Sequence, residues 1–182
     1  MGFAKRKRDD DERSPCAGGA AKSAGAAGNA ASAAASVKSK VNGTLRYEFP
    51  SDFDAGCAVQ TEILQEVERH GFNHNSLFAT RLALEEALVN AIKHGNKLDP
   101  AKKVIVEARV TSDRVEIEIE DQGPGFERSA VPDPTADENL CKCSGRGILL
   151  IEAYMNKVSW SCGGRRVHMV RRNEESELPE RS

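Results

Sequence analysis

The sequence predicts an α+β domain built on an antiparallel sheet with one packed face and one wet face. Three observations carry this expectation. Val115, Ile117 and Ile119 alternate with Glu116, Glu118 and Glu120, so one side of that strand is apolar and the other is carboxylate. The run from Lys103 to Thr111 precedes it across the short polar turn Ser112-Asp113, which makes the two a hairpin. Leu77, Leu84, Leu88 and Ala91 recur at helical spacing and give a helix one apolar stripe to turn towards a core.

Composition suits one domain with tails. The chain has 182 residues, 39% hydrophobic and 30% charged, with a mean hydropathy of -0.52. Residues 1–42 open with Lys5-Arg-Lys-Arg8 and Asp9-Asp-Asp-Glu12 and continue as an Ala/Gly/Ser tract. With almost no large apolar side chain, such a segment cannot bury enough surface to offset its ordering entropy, so a disordered tail is expected. Residues 174–182 are expected to be a second, acidic tail, leaving 43–173 as the domain. The first 42 residues hold eight Lys and Arg against four Asp and Glu, which leaves eighteen against twenty-four in the remainder, a net charge of -6. A domain that acidic is a poor candidate for direct nucleic-acid binding. No apolar run approaches the roughly 20 residues of a membrane helix, and the N-terminus lacks the apolar core of a signal peptide, so no membrane contact and a cytoplasmic location are expected. Five cysteines, with Cys141 and Cys143 one residue apart, make neither a disulfide framework nor a strong zinc pattern, and reduced thiols are expected.

In chain order, Leu45, Tyr47 and Phe49 alternate with Arg46 and Glu48 as a strand ended by Pro50. Ser51-Asp52-Phe53-Asp54 then offers capping side chains, Val59, Ile63, Leu64 and Val67 a helical stripe, and His70-Gly71 a stop. The central helix starts near Asn73 to Ser76 and ends at Gly95-Asn96, ahead of Pro100. Beyond the hairpin, residues 127–144 lack any period and contain two prolines, the mark of a lid or binding loop inside a compact domain. Ser144-Gly145-Arg146-Gly147 opens a helix carrying Ile148, Leu149, Ile151, Ala153 and Met155. A second hairpin, Lys157 to Ser161 and Arg165 to Arg171 around Cys162-Gly163-Gly164, closes the domain.

Three stretches carry chemistry. On the central helix, Ala79, Ala83, Glu86, Asn90 and either Lys93 or His94 fall on a second stripe, where small alanines beside a carboxylate and a carboxamide would let a ligand approach closely. Glu85 can pair with Arg81 one turn back, whereas Glu86 has no cation at i±3 or i±4 and calls for another explanation. Asp121 shares the parity of Val115, Ile117 and Ile119 and so points into the apolar layer, at a cost unless something hydrogen-bonds to it. The turn Gln122-Gly123-Pro124-Gly125-Phe126 follows, with glycines that permit positive φ or close approach to a ligand; an Asp-capped turn ending a strand would look the same. Gly145 and Gly147 at a helix N-terminus present unpaired N–H groups and suit phosphate, and a plain loop-to-helix junction would also use them.

The order of these pieces, Glu86-x-x-x-Asn90 on a helix, Asp121-x-Gly123-x-Gly125 at a strand end, a long connection and Gly145-x-Gly147 opening a helix, resembles the ATP-binding superfamily of gyrase, the heat-shock chaperone, histidine kinases and MutL. Within it, Glu-Ala-Leu-Val-Asn-Ala-Ile-Lys-His-Gly and Ser-Gly-Arg-Gly-Ile look most like the small anti-sigma factor serine-protein kinases. The resemblance implies an α/β sandwich, helices packed on one face of a mixed, mostly antiparallel sheet. It implies ATP and Mg²⁺ as cofactors, with Asn90 holding the metal through its side-chain oxygen. Asp121 would accept from the exocyclic amine of adenine, Gly123 and Gly125 would let the ring lie close, and Gly145, Gly147 and the N–H of Ile148 would meet the phosphates. Arg146 or Lys142 would be a charge partner, Lys93 and His94 would sit by the nucleotide, and Glu86 would be the general base towards a serine hydroxyl. The implied function is phosphoryl transfer from ATP to a serine or threonine of an antagonist protein, by a homodimer that also binds a sigma factor. A non-catalytic ATP-binding module and a small ATPase are the alternatives, and Glu86 disfavours the first because binding alone needs no base. The first helix ends without a dimerisation hairpin, which argues against a complete histidine kinase.

Overall fold

A computed structural model describes residues 37–125 and 146–174. Its sheet is assembled from strands whose alternation sets which face is buried. β1 (Val37–Val41), β2 (Thr44–Pro50), β3 (Lys103–Val110), β4 (Arg114–Asp121), β5 (Lys157–Ser161) and β6 (Arg166–Arg172) pair in the order β1-β2-β3-β4-β6-β5. All five pairings are antiparallel, so the sheet is the antiparallel case of the expected sandwich and has no parallel pair among the described strands. Leu45, Tyr47, Phe49, Val104, Val106, Ile117, Ile119, Val167 and Met169 point to one side and are buried. On the opposite side Arg46, Glu48, Glu107, Glu118, Glu120 and Arg166 form ion pairs in solvent, each worth little to stability.

Helices cover the apolar side. α1 (Phe53–Arg69) starts where Asp52 accepts the Ala55 N–H at 2.9 Å, the cap expected at that stretch. α2 (His74–Val89) is capped by Asn73, whose side chain accepts the Ser76 N–H at 2.8 Å. α3 (Arg146–Tyr154) packs on α2. Val59, Ile63 and Val67 from α1, Leu84 and Leu88 from α2 and Ile151 from α3 join the inward strand residues in one core. Burying such side chains contributes roughly 1.5–3 kcal/mol each, which is what holds the helices on the sheet.

Two expectations need correction. The domain reaches back beyond residue 43, since Val37–Val41 forms an edge strand registered against Thr44 to Glu48. Composition hid it because its stabilising partners are charges on another element: Lys38 pairs with Glu62 and Lys40 with Glu66 of α1, the latter at 3.2 Å. Glu66 is 8% exposed. Burial would raise its carboxyl, but the hydrogen bond from Lys40 and the charges of Lys40, Arg69 and His70 outweigh that and hold it below the ordinary 4.5. Reduced thiols hold for Cys57, which is free and exposed, and fail at Cys162, which is disulfide-bonded; spacing along a chain does not tell which thiols a fold brings together. The expected segments 1–36, 126–145 and 175–182, with Lys142, Cys141, Cys143 and Gly145, lie outside the described residues.

The contribution of β1 is separable. Chains starting at residue 37 and at residue 43 differ by this strand alone, and the shorter is expected to melt about 4 °C or more lower, the equivalent of roughly 1 kcal/mol in a domain of this size. Because the folded carboxyl of Glu66 is depressed, its stabilisation is fully present above the unfolded value and is lost as pH falls through the folded one. The gap between the two chains should therefore narrow in acid, as read by thermal melts from neutral pH to below 4.5.

Candidate functional site

α2 does not end where its α-helical hydrogen bonds end. It continues as a π-helical segment, Asn90–Gly95, in which Asn96 N–H reaches back five residues to the Ala91 carbonyl at 2.8 Å. π-helical segments are uncommon and concentrate at functional sites because the wider turn re-aims side chains. Here Glu86, Asn90, Lys93, His94 and Gly95 all line one cavity of about 620 Å³, a volume in the range of small-molecule sites. The second stripe expected from the sequence is thus split. Ala79 and Ala83 are buried, and α3 meets the same side of α2 further on, so the open part of the stripe begins at Glu86.

Beside the cavity, the first turn of α3 lies over α2. A Cβ added at Gly147 would come within 2.6 Å of Glu86 Oε2 and 3.4 Å of Asn90 Nδ2, which places carboxylate, carboxamide and helix N-terminus together. Glu86 has no hydrogen bond or ion pair among the described residues, and the expected Arg81–Glu85 pair is absent too, Glu85 being exposed. Asn90 Nδ2 is buried without a partner. A buried carboxamide costs free energy unless something satisfies it, so its orphaned end points to a ligand. Ile148 lines the cavity with Gly147; Arg146 begins α3 by its backbone, and its side chain is outside the described set.

Asp121, which lines the same cavity, is 8% exposed on the inward face of β4, where parity put it. Its Oδ1 accepts the Gly123 N–H at 2.7 Å. Gly123 itself is not on the cavity wall. A Cβ there would stand 2.1 Å from the Gly95 carbonyl oxygen, so the glycine serves a backbone-on-backbone contact rather than close approach of a ligand. Asn96, fully buried, seals the same junction by donating to the Lys103 carbonyl at 3.0 Å and accepting the Gln122 N–H at 2.8 Å. Gly125 does line the cavity, at φ 82, and its missing Cβ leaves room for the Gly163 carbonyl.

Burial pushes the Asp121 carboxyl above its ordinary 3.8, opposed by the Gly123 hydrogen bond and the charge of Arg165. Burial, with Lys93 and Lys97 adding repulsion, pulls His94 below its ordinary 6.5, which leaves the imidazole neutral at physiological pH.

Sequence reasoning missed Lys97, Trp160, Gly164, Arg165 and Val167, all of which line the cavity. Parity offered a signal for one of them: Arg165, Val167 and Met169 share the alternation whose last two members are buried, which makes an arginine there as conspicuous as Asp121. Trp160 sits opposite Val167 across the β5–β6 ladder and is reached through pairing alone.

Replacing Gly123 with Ala should cost about 1–3 kcal/mol or more by urea unfolding, since the new methyl meets a backbone oxygen that cannot rotate away. Asp121 binds protons more readily folded than unfolded, so its burial penalty grows as pH rises from 3.8 through the folded value. Asp121→Asn is expected to be at least as stable as the wild type at neutral pH and to lose that advantage in acid, as read by melting temperature against pH.

Residues 49–171 match the histidine kinase-like ATPase domain family. An anti-sigma F factor of Clostridium perfringens is 31% identical over 117 residues, covering 55% of this chain and 83% of that protein. The serine-protein kinase RsbW of Listeria monocytogenes is 27% identical over 96 residues, covering 50% of this chain and 61% of that protein. The matched span takes in Glu86, Asn90, Asp121 and Gly147, all of which line the cavity. The chain belongs to the histidine kinase-like ATPase domain family and, within it, to the small anti-sigma factor kinases.

Proposed function

We propose that this protein is a serine/threonine-protein kinase of the anti-sigma factor type, which binds ATP in the cavity and transfers its γ-phosphate to a hydroxyl of an antagonist protein. The observation that carries this reading is the convergence of Glu86, Asn90 and Gly147 on the wall of a cavity that Asp121 also lines. The acceptor-only carboxylate of Asp121 matches the 6-amine of adenine. The N–H groups at the start of α3 match phosphate.

Asn90 suits Mg²⁺: it lines the cavity with Glu86, and its side-chain oxygen is a hard donor that adds no anionic charge beside a triphosphate. Bound there, Mg²⁺ would offset the charge of the phosphate oxygens. Lys93 lines the same wall and supplies a positive charge, while neutral His94 offers a hydrogen bond. Glu86, one turn before Asn90, takes the proton of the attacking hydroxyl as the new O–P bond forms and the bond to the ADP oxygen breaks with its electron pair leaving on ADP.

Partner switching follows from this chemistry. A kinase that holds a sigma factor and phosphorylates an antagonist changes partner with nucleotide state, a reading supported by the names of its relatives, anti-sigma F factor and serine-protein kinase RsbW; in this reading it acts as a homodimer. Among the described residues no helix is long and apolar enough to cross a membrane. We assign residues 37–173 to the kinase domain.

Glu86→Gln should keep ATP affinity and lower radiolabelled phosphoryl transfer to the antagonist by about 10² to 10⁴, with exposed Glu85→Gln close to wild type. Asp121→Asn should weaken ATP binding by roughly 1–3 kcal/mol in calorimetric titration. Unaltered transfer in Glu86→Gln would remove the general base and leave an ATP-binding regulatory module.

A further inference from the structure

Arg165 has no role in the reading above, yet it stands beside the residue that reads the base. Its carbonyl accepts the main-chain N–H of Asp121 at 3.0 Å, and its side chain lines the cavity. The stem is held on two sides: Nε donates to the Cys162 carbonyl at 3.1 Å, and a Cβ added at Gly125 would meet Cγ at 3.3 Å. The terminal nitrogens make no hydrogen bond or ion pair among the described residues, and Asp121 is not ion-paired with them. Ile119, Val167 and Trp160, aligned across β4, β6 and β5, form an apolar floor next to this pair.

An acceptor-only carboxylate next to a donor-only guanidinium matches a ring edge that offers a donor beside an acceptor. Adenine offers that edge, the 6-amine next to N1. Guanine offers the reverse order, a 6-carbonyl next to an N1–H, so groups that hold adenine oppose guanine in the same pose. We propose that Arg165 is a second base-reading residue, its guanidinium donating to adenine N1 while Asp121 accepts from the amine. The inference rests on the ATP-site reading and deepens it: selectivity for adenine comes from a charged pair split between β4 and the β5–β6 turn.

The test is a titration of the full chain with Mg-ATP, with GTP and with 1-deaza-ATP, in which a C–H replaces N1. The wild type should bind 1-deaza-ATP about tenfold or more weaker than ATP, the scale of one hydrogen bond from a charged donor. Arg165→Met keeps the stem that packs on Gly125, and it should bind ATP and 1-deaza-ATP alike, both near the wild-type affinity for 1-deaza-ATP. GTP should bind the wild type about tenfold or more weaker than ATP. Equal affinity of the wild type for ATP and either analogue would overturn the role of Arg165 while leaving the ATP site standing, and that comparison needs no variant to fold. A gap between ATP and 1-deaza-ATP that persists undiminished in Arg165→Met would overturn it as well. Absence of ATP binding by the folded wild type would overturn the ATP site itself, and this inference with it.

Discussion

Two backbones touch where the π-helical segment ends and β4 ends, and the geometry of the cavity depends on that contact. A side chain at Gly123 would strike the Gly95 carbonyl and one at Gly95 would strike the Asp121 carboxylate, while Asn96 fastens the junction by hydrogen bonds to Lys103 and Gln122. One consequence is placement: Asp121 on a strand and Asn90 on a helix are brought to the wall of a single cavity. Another is charge. The carboxylate of Asp121 is kept in place by the Gly123 N–H and by burial, so it arrives preorganised for a ligand rather than being recruited by one. Its raised proton affinity is the cost of that arrangement.

The sheet was legible because its period is short and its faces differ. Val115, Ile117, Ile119 and Asp121 needed no knowledge of neighbours to be placed inward, and the structure buries all four. Asp52 was legible as a cap because capping is local, and Asn73 caps the central helix inside the stretch where that helix was expected to start. The π-helical segment was not legible, since Asn90 to Gly95 reads equally well as α-helix. β1 escaped for a related reason. Its five residues carry little apolar surface, and what fastens them is a ladder to β2 and two glutamates on α1, partners that composition does not reveal.

The candidate site divides along the same line. Glu86 stood out because no local cation accounts for it, and it remains without a described partner in the fold. Gly123 was assigned to ligand approach and turns out to serve another backbone, because a glycine in a sequence announces close approach without naming what approaches. Arg165 and Trp160 sit in the second hairpin, remote in sequence from every motif, and reach the cavity through strand pairing across β4, β6 and β5.

Trp160 is the only tryptophan in the chain, and it forms part of the floor on which a bound base would rest. A protein with a single indole at its ligand cavity carries its own optical reporter. Emission excited at the red edge of protein absorbance arises from that one wall, free of averaging over distant sites, so a ligand entering the cavity would be visible in the unlabelled molecule.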